Sequence, residues 1–346
     1  MGVFLAISPL LVVVLGGLLL MIVEALSRPR EAEAGDHRER GPSSDLALGT
    51  AVTLFAGAAF SAAVWLVGPD SIEGAADLAP YLIIDRFTIF FAFVLCLGGA
   101  LSALLAGGYL PEHKLDRGEL YPLITFSTAG AMVLVAAGDL LSLFLGLEAM
   151  SLGVYTMTGF RRGSPRSTEG AVKYFLLGSF AAALLLYGSA LLYGATGHTD
   201  LEGIRASIAA MAGGGGSGLG LVLIATVLLL VGLLFKVGAV PFHMWAPDAY
   251  EGAPTPATTF MAIAVKSAAF GILLRVLLGA LSDPGLASWA AGWPPLLALL
   301  AVLTMTVPNL IAGRQESVKR MLAYSSLAHA GYVLVAVVAT VRMGQE

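Results

Sequence analysis

A chain of 346 residues with 58% hydrophobic and 12% charged side chains, at a mean hydropathy of +0.86, is too apolar for soluble domains and falls among polytopic membrane proteins. Its net charge of −4 resides in short loops and at a few points inside apolar segments, which gives no basic surface for nucleic acid. Cys96 is the only cysteine, so neither an internal disulfide nor a cysteine metal cluster can form, and its place in the apolar run 87–105 assigns it to packing.

The first apolar run, 3–26, has no basic residue ahead of it and no small-residue cleavage site behind it, which reads as a span and not a removable signal peptide. The charged stretch 27–44 then reads as a mobile loop. Further runs at 46–67, 82–109, 121–138, 140–160, 171–193, 219–245, 255–281, 289–311 and 321–341 bring the expected spans to ten. Each approaches the roughly 20 residues that cross about 30 Å of hydrocarbon. Between the sixth and seventh, the run Gly213-Gly214-Gly215-Gly216-Ser217-Gly218 reads as a flexible outer connection.

Basic residues set the orientation, because loops on the cytoplasmic side accumulate them. With the N-terminus outside, the inward loops carry Arg28, Arg30, Arg38, Arg40, Lys114, Arg117, Arg161, Arg162, Arg166, Arg314, Lys319 and Arg320, and the outward loops carry Arg205. One missed helix would scramble that alternation, so the bias also supports the helix count. Both termini are then expected outside.

Ionisable residues inside the spans carry the chemistry, since a charge at the helix centre costs roughly 2.5–3.5 kcal/mol on insertion scales and marks ion pathways. Glu148 follows the N-cap candidate Asp139 by nine residues, about 14 Å at the helical rise, and shares a polar face with Ser151 and Tyr155. Lys266 lies ten residues after Pro256, about 15 Å along the eighth span. Lys236 ends an apolar run just before Gly238 and Pro241. The stretch 219–247 would measure about 43 Å as one straight helix, so a break after Lys236 is expected. Unwound backbone at that depth must be buried in protein or line water.

Glu148, Lys236 and Lys266 together read as a proton relay. Burial and pairing act on a lysine and a glutamate in opposite senses, so a change in their separation moves a proton, and the pair titrates as a unit. The alternative for these residues is a structural ion pair or polar helix contact. Lys173, early in the sixth span, is either a further carrier or snorkels to the surface. His243 beside the break is a carrier or a backbone hydrogen-bond donor. His329, with Ser325 and Ser326 before it and Tyr332 after it, continues a wet path or is a satisfied interior histidine. Glu24, Asp85 and Arg86 lie near helix ends as ordinary interfacial charge, and Asp248 and Glu251 read as residues that hold a turn.

Several strings carry a resemblance: Leu145-Gly146-Leu147-Glu148, Lys173-Tyr174-Phe175-Leu176-Leu177-Gly178, the stretch 235–256 from Phe235-Lys236-Val237-Gly238 through Trp245-Ala246-Pro247-Asp248-Ala249-Tyr250-Glu251-Gly252-Ala253-Pro254, and the stretch 309–326. Over nearly its whole length the chain resembles the subunit N family of respiratory NADH:quinone oxidoreductase (complex I), whose members are antiporter-like membrane subunits. Tyr250 and Gly252 favour that family over its paralogues. The resemblance implies an all-α polytopic membrane fold of the antiporter-like kind, about ten transmembrane helices here with a broken seventh. It divides the chain into N-terminal helices (1–119), a core repeat (120–284) and the start of a second repeat (285–346).

It also implies a multi-pass protein of the cell inner (plasma) membrane that translocates protons, driven by quinone reduction elsewhere in the complex. Glu148 and Lys236 would be the coupling pair, with Lys173 and Lys266 as further carriers. No cofactor or metal is expected in this chain. NADH, FMN, iron-sulfur clusters and quinone would belong to partner subunits, among them homologous antiporter-like subunits. Family members run to about fourteen helices with a second broken helix, whereas the second repeat here is cut after two, so either another polypeptide supplies the remainder, the sequence is partial, or this form is reduced. A multisubunit cation/proton antiporter subunit, a membrane-bound hydrogenase subunit, or a structural membrane scaffold are the alternatives.

Overall fold

The computed structural model describes residues 2–27, 43–115, 117–214, 218–290 and 292–343. The expected charged loop, apart from its ends, and the middle of the glycine run lie outside these residues. A turn α1 (Gly2–Ala6) leads into α2 (Ser8–Ser27), followed by α3 (Ser43–Val67), α4 (Arg86–Glu112), α5 (Leu120–Ala136), α6 (Leu140–Thr158) and α7 (Pro165–Thr196). Then come α8 (Leu201–Gly213), α9 (Leu219–Val237), α10 (Ala246–Gly252), α11 (Thr255–Phe260), α12 (Lys266–Arg275), α13 (Trp293–Ala312) and α14 (Val318–Met343). Among the described residues nine helices are long and apolar enough to cross a membrane, and the 17-residue α5 occupies the place of the fourth expected span.

Helix starts follow the local chemistry. Asp85, Asp139, Ser164 and Asp200 each accept a backbone N–H of the first turn with a side-chain oxygen, which is what an N-cap does. Three features were not foreseen. The amphipathic α8 fills the connection between the sixth and seventh spans. The eighth span is one helix from α11 to residue 280, but π-turns at Met261–Val265 and Val276–Ala280 flank α12 within it. The third span starts four residues later than expected, because the backbone at Leu82 is extended and bridges Ala137.

Small residues let helices touch backbone to backbone, the usual means of association where hydrocarbon surrounds both partners. A β-carbon at Gly130 on α5 would lie 2.4 Å from the amide nitrogen of Met150 on α6, and one at Gly146 would lie 2.5 Å from that of Leu134. Gly188 on α7 stands in the same relation to Leu229 on α9, at 2.6 Å. These close approaches pair α5 with α6 and α7 with α9, and packing of α6 on α7 joins the two pairs. Gly130→Val is therefore expected to force α5 and α6 apart at a cost of about 3 kcal/mol, the upper part of the range for overpacking. A fall in the detergent or thermal midpoint of the purified protein measures it, and an unchanged midpoint contradicts the packing.

Among the described residues, the basic loops at 161–166 and 314–320 gather at one end of the bundle, where Arg166 and Arg320 both meet Glu251. There Arg161 donates to the Tyr109 hydroxyl at 2.5 Å and Lys319 donates to the Ala253 carbonyl. At the other end Asp85 is more than an interfacial charge. Its carboxylate takes two hydrogen bonds from Arg275, at 2.9 and 3.1 Å, and that arginine also bonds the Val135 carbonyl and the Thr88 hydroxyl. The eighth span is thereby clipped to α4 and α5.

Candidate functional site

The break after Lys236 is present, and its cause differs in detail from the expectation. Gly238 adopts φ 78, a left-handed conformation open to glycine, and its N–H closes α9 onto the Leu234 and Phe235 carbonyls. Pro241 lies beyond that stop and does not create it. The freed polar groups find partners: Val240 N–H donates to Thr304 Oγ1 of α13 at 2.9 Å, and Trp245 Nε1 donates to the Phe235 carbonyl at 3.0 Å. A β-carbon on residue 238 would sit 2.4 Å from Leu327 of α14, so the break is packed against the last two helices.

Lys236 is 2% exposed. Its Nζ donates to the Tyr155 hydroxyl at 2.9 Å and lies 4.8, 5.4 and 5.6 Å from the ring centroids of Tyr155, Tyr174 and Phe235. Such faces attract a desolvated cation. Glu148 lies two turns before Tyr155 on the same face of α6. Glu148 and Lys236 form no direct ion pair among the described residues. Glu148 Oε1 is buried without a hydrogen-bond partner there, as is the Tyr174 hydroxyl.

An aromatic wall runs from this pair toward Lys266. Tyr174 stacks on Trp245 with centroids 3.9 Å apart, Trp245 meets Tyr250 at 6.1 Å, and Lys266 Nζ lies 5.9 Å from the Tyr250 ring. Lys266 is 8% exposed, follows directly on a π-turn, and donates to the Ser326 carbonyl at 2.8 Å and hydroxyl at 2.7 Å. π-Turns inside α-helices are frequent at functional sites.

The remaining candidates lie apart. Lys173 has a 43% exposed side chain and pairs with Glu169 and Asp248, both at 2.6 Å. Arg320 extends that cluster to Asp248 at 2.5 Å and Glu251 at 3.2 Å. Burial acts to raise the Asp248 carboxyl, but hydrogen bonds and charge from Lys173 and Arg320 outweigh it and hold the group below the usual carboxylate range. His243 is half-buried in the turn between α9 and α10. His329 is on the exposed side of α14, bonded through Nδ1 to the Ser325 carbonyl at 2.8 Å and edge-on to Tyr332. No group of three metal-ligating side chains occurs among the described residues.

Residues 137–346 match the family described as NADH:quinone oxidoreductase/Mrp antiporter, TM. The chain is 71% identical over all 346 residues to NADH-quinone oxidoreductase subunit N 1 of Sorangium cellulosum (strain So ce56), covering 68% of that protein. It belongs to the subunit N family of NADH-quinone oxidoreductase. The solved respiratory complex I from Thermus thermophilus with bound Aureothin contains a chain 34% identical at a TM-score of 0.72, with 95% of this chain and 64% of that one covered. The Mrp complex from Dietzia sp. DQ12-45-1b matches at a TM-score of 0.75, covering 96% of this chain and 59% of that one, and at 22% identity it shows shared fold. The chain spans about half to two thirds of the length of the curated relatives it matches.

Within this subunit N chain the fold sets Lys236 against Tyr155 of the helix that carries Glu148, and sets Lys266 against Tyr250 and Ser326. It does not bring Lys173 or His329 into contact with them. Sequence reasoning missed Thr304, which accepts from the break, and Arg275, which clips the eighth span. Tyr155 was visible only as a polar neighbour seven residues from Glu148, and no sequence signal announced its hydrogen bond to Lys236.

Proposed function

We propose that this chain translocates protons across the cell inner (plasma) membrane as part of NADH:quinone oxidoreductase, driven by quinone reduction in partner subunits that hold NADH, FMN and iron-sulfur clusters. The observation that carries the reading is a lysine 2% exposed at a helix break and bonded to the neutral hydroxyl of Tyr155, two turns along α6 from Glu148. A charge so placed in hydrocarbon is retained for ion movement far more often than for packing.

Glu148 and Lys236 exchange the proton, and Lys266 takes it onward along the hydroxyl-bearing aromatic wall. In this reading Lys173, paired with Asp248 beside Arg320, and His243 at the turn serve as entry groups on the cytoplasmic side, and His329, exposed on α14, faces neighbouring membrane subunits or lipid. The N-terminus is then outside. Residues 1–119, 120–284 and 285–346 serve as leading helices, core repeat and the start of a second repeat.

Glu148→Gln tests the reading in the native membrane complex, because the amide keeps the shape and cannot carry a proton. Protons moved per quinone reduced are expected to fall about 100-fold or more, the lower end of the span for positioned proton carriers. A normal ratio would leave the scaffold reading in its place.

A further inference from the structure

We infer that the Tyr155 hydroxyl is a positioning part of the relay: it holds the Lys236 ammonium off Glu148, and the absent side chain of Gly178 makes room for it. The inference rests on the relay reading above and adds two residues to it.

Tyr155 is 6% exposed, and its ring is fixed by edge contacts to Tyr174 at 4.7 Å and Phe175 at 5.8 Å. Its hydroxyl accepts from Lys236 on one side. On the other it lies over bare backbone of α7: a β-carbon on residue 178 would stand 2.1 Å from the oxygen and 2.8 Å from the ring carbon that bears it. Gly178 is one turn beyond Tyr174, on the face of α7 that meets α6 and α9. Any larger residue there displaces the hydroxyl.

The physical reason for such an arrangement is the depth of the site. An ammonium and a carboxylate in direct contact at low dielectric attract strongly enough to lock together, and a locked pair does not exchange a proton with its neighbours. A neutral acceptor satisfies one N–H of the lysine without adding charge. Lys236 is then kept within the field of Glu148 but bonded elsewhere, so a small movement of α6 against α9 exchanges one partner for the other.

The test uses Tyr155→Phe, Gly178→Ala, the double variant and Lys236→Ala, each in the intact membrane complex, with quinone reduction and proton movement measured together. Tyr155→Phe keeps the ring and its packing, so it reports on the hydroxyl even where Gly178→Ala assembles poorly. Each single change is expected to lower protons moved per quinone about tenfold, the loss of one hydrogen bond to a charged group, with quinone reduction retained. The double variant is expected to be no worse than Tyr155→Phe, because both changes remove the same contact.

The infrared C–O band of ring-labelled tyrosine supplies the second readout. The component lost in Tyr155→Phe is expected to shift in Gly178→Ala and in Lys236→Ala. If Lys236→Ala stops pumping while Tyr155→Phe pumps normally, the tyrosine inference alone is overturned, and it is overturned equally if Lys236→Ala leaves the band unmoved. If Lys236→Ala itself pumps normally, the relay reading falls.

Discussion

Replacing Lys236 with alanine is expected to give an assembled complex that reduces quinone while coupled proton movement falls by about 100-fold or more, the scale lost when a positioned proton carrier is deleted. Assembly survives because the change removes a buried charge along with its desolvation cost. What remains is the Tyr155 hydroxyl without its lysine donor, a penalty of about 1–3 kcal/mol, and a Glu148 carboxyl that takes up a proton in place of its neighbouring cation. Lys236→Arg separates the two roles a buried cation can have. Guanidinium keeps the charge and the attraction to Glu148 and the surrounding rings, but it does not release a proton in a protein. Arginine is therefore expected to fail as alanine does. Proteoliposomes holding the complex, with a pH-sensitive dye inside and quinone reduction followed in parallel, give the ratio directly. Normal pumping by the arginine variant would show that charge suffices at this position.

Arg275→Ala is expected to cost about 3 kcal/mol, at the lower end for removing one partner of a buried ion pair, since the Asp85 side chain is 38% exposed and the arginine 9%. The loss is spread over the Asp85 carboxylate, the Val135 carbonyl and the Thr88 hydroxyl, and the guanidinium also leaves the Phe87 ring, 5.0 Å away. Arg275→Lys restores the charge but not the two-pronged geometry, and recovers only part.

The effect has a defined pH dependence. Burial acts to raise the Asp85 carboxyl, while Arg275 and the Thr88 hydrogen bonds act more strongly and hold it below the usual carboxylate range. A carboxylate depressed in the folded state stabilises fully above its unfolded value of about 4, and that contribution disappears as pH falls through the lower folded value. The wild-type protein is therefore expected to exceed Arg275→Ala in thermal midpoint by a constant margin from neutral pH to about pH 5, with the margin closing below about pH 4. A margin that widens on acidification contradicts the assignment to Asp85.

The spans were legible because membrane insertion depends on local hydropathy and length. The expected 140–160 became Leu140–Thr158, and the expected 219–245 became α9 with its break beyond Lys236. Glu148, Lys236 and Lys266 stood out for the same reason, as charges in segments that otherwise exclude them. The sequence offers Gly238 and Pro241 as joint causes of the break, and the helix ends at Gly238 before Pro241 is reached. Glycine permits a left-handed stop but does not require one, and here Leu327 against Gly238 and Thr304 beneath Val240 favour it. Lys173 illustrates the limit of counting residues along a helix. Its depth suggested either carrier or surface charge, and the carboxylates of Glu169 and Asp248 draw it to the end of the bundle.

By itself the sequence determined that the chain is helical and spans hydrocarbon, which segments cross, and which ionisable groups lie inside them, because each of these follows from the solvation of residues close together along the chain. The tertiary structure alone decided that Lys236 bonds a tyrosine before a carboxylate, that Gly178 makes the space, and that Arg275 ties the eighth span to the third and fourth. Those contacts join residues 23 to 190 positions apart, and their geometry depends on the close approach of helices, which no local periodicity encodes.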